Sequence, residues 1–133
     1  MNFIKNFSIE KINDLKSKLF FNGKYTGTNI CGIDLRYQIK ILDKYYLIIT
    51  DYDCPFEETT EIALINTNFK FLSRKSIGGP YYSWDIYNVE FIDSQNINLI
   101  FGDNIMRITL REFSIPYLFP KMKITRLKLN KNT

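Results

Sequence analysis

Five carboxylates, Asp51, Asp53, Glu57, Glu58 and Glu61, fall within eleven residues around the kink Pro55-Phe56. Carboxylates at this density could hold a cation, cleave a glycosidic bond as an acid–base pair, or meet a basic partner. A calcium loop needs Asp-x-Asn/Asp-x-Asn/Asp-Gly with a distal Glu, and that spacing is absent. A glycosidase pair needs a sugar cleft with stacked aromatics, and two acids in one loop are far commoner than two catalytic acids. Contact with a basic protein partner needs only what the segment has. Asp51, Asp53, Glu57 and Glu58 would supply steering and charge-assisted hydrogen bonds, and Phe56 an apolar anchor among them. The bland alternative is a solvated loop whose charges aid solubility.

The second candidate is Ser76-Ile77-Gly78-Gly79-Pro80-Tyr81-Tyr82-Ser83-Trp84. No Lys-Ser/Thr follows the glycines and no helix pattern follows them, so neither a P-loop nor a dinucleotide fingerprint is present. A wide turn between strands is the plain reading. Tyr81, Tyr82 and Trp84 nevertheless make the densest aromatic patch in the chain, and exposed Tyr is common material of protein–protein hot spots. Trp84 is expected in the core, one of Tyr81 and Tyr82 on the surface.

A third candidate is the basic C-terminal segment, where Lys121, Lys123, Arg126 and Lys128 could track a phosphate backbone, with Arg107 and Arg111 extending the set. Charge is uneven along the chain: residues 43–66 hold one basic and six acidic groups, residues 107–133 seven and one. The overall balance, 18 Lys+Arg against 14 Asp+Glu, is modest for a nucleic-acid binder, and no ribonucleoprotein-type aromatic motif occurs.

Histidine is absent. Ser-His-Asp and Cys-His nucleophile systems, His-ligated zinc or iron and His acid–base catalysis go with it. Two cysteines, Cys31 and Cys54, cannot complete a four-ligand zinc site without it. The expectation is a protein without enzymatic activity, metal or cofactor. No signal-peptide h-region and no apolar run long enough to span a membrane are visible, which predicts a cytoplasmic protein with both thiols reduced.

These groups need a scaffold, and 133 residues suffice for one domain, expected over 1–133 with 129–133 as a frayed tail. Twenty Ile, eleven Phe and nine Tyr against one Ala (Ala63) and one Val (Val89) favour strands. Thirteen Asn alongside this bias fit an AT-rich coding sequence. One helix is predicted over residues 8–21: Ser8 can cap it, and Ile9, Ile12, Leu15 and Leu19 form an apolar stripe. From Gly32 the period becomes two, with Ile33, Leu35, Tyr37, Ile39 and Ile41 alternating with Asp34, Arg36, Gln38 and Lys40. Asp43-Lys44 then leads into Tyr45 to Thr50, a uniformly apolar run expected of a central strand covered on both faces. Strands are predicted at Glu61–Ile65 and Phe69–Ile77, joined by Asn66-Thr67-Asn68. Others follow at Ser83–Ile92, with a bulge near Tyr87-Asn88, and at Asn96–Phe101 and Ile105–Phe113. Lys121–Leu129 could add one more. The predicted class is α+β: a mostly antiparallel, curled sheet of about seven strands, barrel-like or sandwich, with one main N-terminal helix.

In the segment Thr50-Asp51-Tyr52-Asp53-Cys54-Pro55-Phe56-Glu57-Glu58, followed by Ser76-Ile77-Gly78-Gly79-Pro80-Tyr81, the chain resembles small bacterial immunity partners of polymorphic or contact-dependent growth-inhibition toxins. The resemblance covers the character of residues 40–110. It implies a cytoplasmic, non-enzymatic protein that binds one cognate toxin domain and blocks its active site or substrate surface. Many such toxins are nucleases with basic clefts, which an acidic loop would complement. A small β-rich nucleic-acid binder using Lys121, Lys123, Arg126 and Lys128 is the alternative.

Overall fold

The computed structural model describes residues 1–52, 59–78, 86–102, 104–111 and 121–127, Lys121 by its backbone alone. The strands are β1 (Asn2–Phe3), β2 (Phe7–Lys11), β3 (Lys16–Phe21), β4 (Lys24–Cys31), β5 (Asp34–Ile41), β6 (Tyr45–Asp51) and β7 (Thr59–Asn66). They continue with β8 (Phe71–Gly78), β9 (Asn88–Phe91), β10 (Asn96–Phe101), β11 (Asn104–Arg111) and β12 (Lys121–Leu127). All pairings are antiparallel, in three sheets of order β1-β5-β6-β7-β8, β2-β3-β4 and β12-β11-β10-β9.

The β1-β5-β6-β7-β8 sheet is the middle layer. Alternate residues of a strand point to opposite faces, and in β6 both sets are apolar. Leu47 and Ile49, with Ile39, Ile41, Ile62 and Leu64, pack against Ile97, Leu99, Phe101, Ile108 and Leu110 of the β9–β12 sheet. Ile48, with Ala63 and Ile65, packs against Phe7, Leu19 and Ile30 of the β2–β4 sheet. The doubly covered central strand expected from Tyr45 to Thr50 is therefore present, with Leu47 through Thr50 fully buried. Each such Leu or Ile side chain contributes roughly 1.5–3 kcal/mol by leaving water.

The predicted helix over 8–21 is replaced by the β2–β3 hairpin, and the α+β class by an all-β fold with no helix among the described residues. The apolar stripe has a second solution. Phe7 and Ile9, then Ser17, Leu19 and Phe21, alternate at period two and face the middle layer. Ile12 and Leu15, half of the supposed helical stripe, sit at the hairpin tip, 46% and 64% exposed. Asn13 makes the tip, its Oδ1 accepting from the backbone N–H of Leu15 and Lys16, both at 2.9 Å. An aromatic cluster rewards the strand solution: Phe7 lies 4.8 Å from Phe21 and 5.0 Å from Tyr46, and Phe21 lies 5.2 Å from Phe69, between ring centroids. The single curled sheet of about seven strands likewise gives way to three stacked sheets.

Other strand expectations fare better. The hairpin of residues 33–41 with 45–50, the strand pair at 61–77, the hairpin at 96–111 and a final strand from Lys121 are all present within a residue or two, whereas the pairing of β6 with β7 is not one expected from the sequence. The turn expected at Asp43-Lys44 begins one residue earlier, with Leu42 and Asp43 both left-handed and Lys44 N–H bonded to Ile41 O at 3.1 Å. Of the Ser83–Ile92 strand, Asn88–Phe91 is strand, and residues 83–85 lie outside the described residues, as does the tail.

The passage from β4 to β5 carries the chain from one layer to the next. Gly32 makes it with φ +101°, and a Cβ there would collide with the Thr50 hydroxyl, so both conformation and space call for glycine. The junction is closed by hydrogen bonds: Ser17 Oγ donates to Gly32 O (2.7 Å), Thr50 Oγ1 to Cys31 O (2.6 Å) and Ile33 N–H to Asp51 O (2.9 Å).

Candidate functional site

The two segments singled out in the sequence leave the middle sheet at one end. Asp51, the last residue of β6, pairs with Thr60, and Thr59, the first of β7, pairs with Gly78, the last of β8. Asp51, Thr59 and Gly78, which flank the acidic segment and the Gly-Gly-Pro-Tyr-Tyr segment in sequence, thus lie at three adjacent strand ends. Asp53, Phe56, Glu57, Glu58, Tyr81 and Tyr82, like Cys54 and Trp84, lie outside the described residues.

Asp51 itself is engaged within the fold. Its Oδ2 accepts from Arg36 Nη1 at 2.9 Å, and the two side chains are only 14% and 30% exposed. Arg36 owes its position to a bulge: β5 pairs Leu35 with Thr50 and Tyr37 with Ile49, leaving Arg36 as an extra residue. An extra residue reverses the alternation, so Leu35 packs toward the β2–β4 layer and Tyr37 toward the β9–β12 layer. Arg36 Nη2 also donates to the carbonyl of Ile86, itself buried in the core, at 3.2 Å. One guanidinium therefore ties β5, the end of β6 and Ile86, two residues before β9, together.

On the opposite face of the same sheet end, Glu61 lies across from Thr50 on one side and Ser76 on the other. Its carboxylate accepts from Tyr52 Oη (3.1 Å) and from Ser76 Oγ (2.5 Å). Burial holds the Tyr52 phenol well above the usual tyrosine range, and the charge and hydrogen bond of Glu61 add to it, with a smaller contribution from Cys31. Tyr52 is therefore a fixed hydrogen-bond donor rather than a nucleophile or proton shuttle at neutral pH. Sequence reasoning counted Glu61 only as one more acid; the Tyr-Glu-Ser arrangement depends on cross-strand register, which no local motif announces. Cys31, a free thiol, is partly buried at this end, and no group of three Cys, Asp or Glu among the described residues could hold a metal.

The basic candidates divide between two faces. In β12, Met122 and Ile124 pack into the core, so Lys123 points outward and is exposed. Arg126, two residues beyond Ile124, takes the core-side direction and donates to Asn104 Oδ1 at 2.5 Å. Lys128 lies outside the described residues. The register sets Arg107 opposite Thr125, Thr109 opposite Lys123 and Arg111 opposite Lys121. Arg107, Thr109 and Arg111 alternate with Met106, Ile108 and Leu110, so they share the outward face with Lys123. The expected extension of the basic set by Arg107 and Arg111 thus holds for Lys123, and the alternation visible in the sequence could have removed Arg126 from it. Arg107 Nε donates to Asn98 Oδ1 (2.9 Å) and Thr109 Oγ1 to Asn96 Oδ1 (2.7 Å), which fixes both side chains against β10.

No protein-family model matches the chain, and no curated protein or solved structure matches it.

Proposed function

We propose that the chain is a non-catalytic protein-binding module that binds and neutralises a cognate toxin domain in the cytoplasm. The observation that carries this reading is the common origin of the two segments on which the resemblance to immunity partners rests: both depart from neighbouring strand ends at Asp51, Thr59 and Gly78. The Arg36–Asp51 ion pair on one face and the Glu61 hydrogen bonds on the other brace that end. A braced sheet end carrying a binding segment favours affinity, because less is lost in ordering on association.

Asp53, Glu57 and Glu58 supply the steering charge toward a basic partner surface, such as the cleft of a nuclease, while Phe56 and Tyr81 or Tyr82 supply the apolar anchors. Asp51 contributes as the foot of the segment. The test is association with the product of the reading frame adjacent to this chain's own. Changing Asp53 and Glu57 to Lys should slow association and weaken its salt dependence, whereas Phe56→Ala or Tyr81→Ala should mainly speed dissociation. Unchanged rates in both sets, in variants that melt like the parent, would remove this end of the sheet as the docking site.

A further inference from the structure

We infer that the outward face of the β9–β12 sheet is a docking surface for the phosphate backbone of duplex nucleic acid, centred on Arg107, Arg111 and Lys123. Arg111 and Lys123 are exposed and Arg107 is half-buried, and the register groups them on two adjacent strands with Thr109 and Thr125 between them. Residues two apart along a strand are separated by about 7 Å and neighbouring strands by about 4.8 Å. The three cations therefore span about 14 Å, the rise of about four nucleotides along one strand of a duplex.

Two carboxylates lie near these three cations, Glu90 and Asp93, and the charge of Asp93 acts on Arg107. Glu90 is the one carboxylate at an outward position of these strands among the described residues. Asp93, in the β9–β10 turn, is occupied in capping it, accepting from the backbone N–H of Gln95 (2.8 Å) and Asn96 (2.9 Å) and from Asn96 Nδ2 (2.9 Å).

The residue types choose the occupant. Arg, Lys, Thr and Asn are the side chains that contact phosphate oxygens. Among the described residues, the outward positions of β9 to β12 carry no aromatic side chain. Without one the face lacks the platform on which unpaired bases stack. What it offers is a row of cations for a regular backbone, read without regard to sequence. The surface is independent of the docking end proposed above, so either can fail alone.

The test is fluorescence anisotropy of the full chain with labelled DNA and RNA duplexes of about 20 base pairs, between about 50 and 200 mM salt. Arg111→Gln with Lys123→Gln should weaken binding at least about tenfold and reduce the salt slope by about two, since each phosphate contact contributes about 0.9 to it. Thr125→Glu, which adds charge to the same face, should weaken binding in the same direction, and Arg126→Gln should leave it unchanged. The DNA and RNA arms distinguish which duplex is held. No binding at the lowest salt would overturn the inference, as would a double variant that binds like the parent while melting at the same temperature. Displacement by polyglutamate as effectively as by unlabelled duplex would also overturn it, marking the face as one for an acidic protein. Asp53→Lys with Glu57→Lys should leave duplex affinity intact or raised while impairing the toxin contact.

Discussion

The side chain of Gln38 acts as a strand partner for Phe7: its Oε1 accepts from the Phe7 N–H at 2.8 Å and its Nε2 donates to the Phe7 carbonyl at 3.1 Å. The two residues belong to different sheets, and this double hydrogen bond fixes the start of β2 to the face of β5. Phe7 is buried, so its main-chain groups have no ready replacement in water. Gln38→Ala should destabilise the fold by about 1–3 kcal/mol, measured by urea denaturation, and Gln38→Leu should do no better. A loss below the error of the measurement would mean that the outer layer is held by its apolar contacts and its other hydrogen bonds, such as Thr28 Oγ1 to Phe69 O, without need of Gln38.

Breaking the Arg36–Asp51 pair from either side should cost more than an exposed ion pair would. Arg36→Gln and Asp51→Asn are each expected to lower stability by about 2 kcal/mol, with non-additivity in the double variant, because each removes the same charge-assisted hydrogen bond at a partly buried site. Additive losses from a double-mutant cycle would show the two side chains acting separately.

Leu47 and Ile48 are neighbours in β6 but belong to different cores. Leu47→Ala and Ile48→Ala should each destabilise by about 2–5 kcal/mol in equilibrium unfolding. A two-layer protein would show one large and one small effect.

The raised Tyr52 phenol has a defined signature in alkaline solution. The neutral form is favoured in the folded state, so its contribution is fully present below the ordinary tyrosine value of about 10 and is lost as pH rises above it. Stability should fall more steeply with pH above about 10 in the parent than in Tyr52→Phe, as followed by unfolding across that window. Parallel curves would assign the alkaline loss to other groups.

The same features mark how far the sequence carries. The strand at Asp34–Ile41 and the doubly covered β6 are legible from a period of two and from an unbroken apolar run, although the bulge at Arg36 turns Leu35 to the face opposite Tyr37, Ile39 and Ile41. Residues 8–21 are not, because Ile9 and Leu19 satisfy both a helical and a strand period. The choice is made by partners distant in sequence, Tyr46 and Phe69, and by the turn at Asn13. Likewise the chemistry-bearing types at Asp51, Glu61, Arg107 and Lys123 are plain in the sequence. Which of them face one another is not, since the bulge at Arg36 and the cross-strand registers decide it.

Gly32→Ala should lower stability by about 3 kcal/mol, combining a left-handed backbone with the collision at Thr50. Thermal unfolding of this variant beside Gly23→Ala, where the added methyl meets nothing, separates the collision from the conformational cost alone.

With one exception, each sheet is assembled from consecutive strands: β2 to β4, β5 to β8, β9 to β12. During synthesis each layer can therefore complete its pairing soon after its last strand leaves the ribosome, without waiting for distant sequence. The exception is β1, whose Asn2 and Phe3 pair with Lys40 and Ile39. β1 must wait until β5 has emerged, so its unpaired backbone is open meanwhile to interception by a chaperone or a neighbouring chain on the polysome.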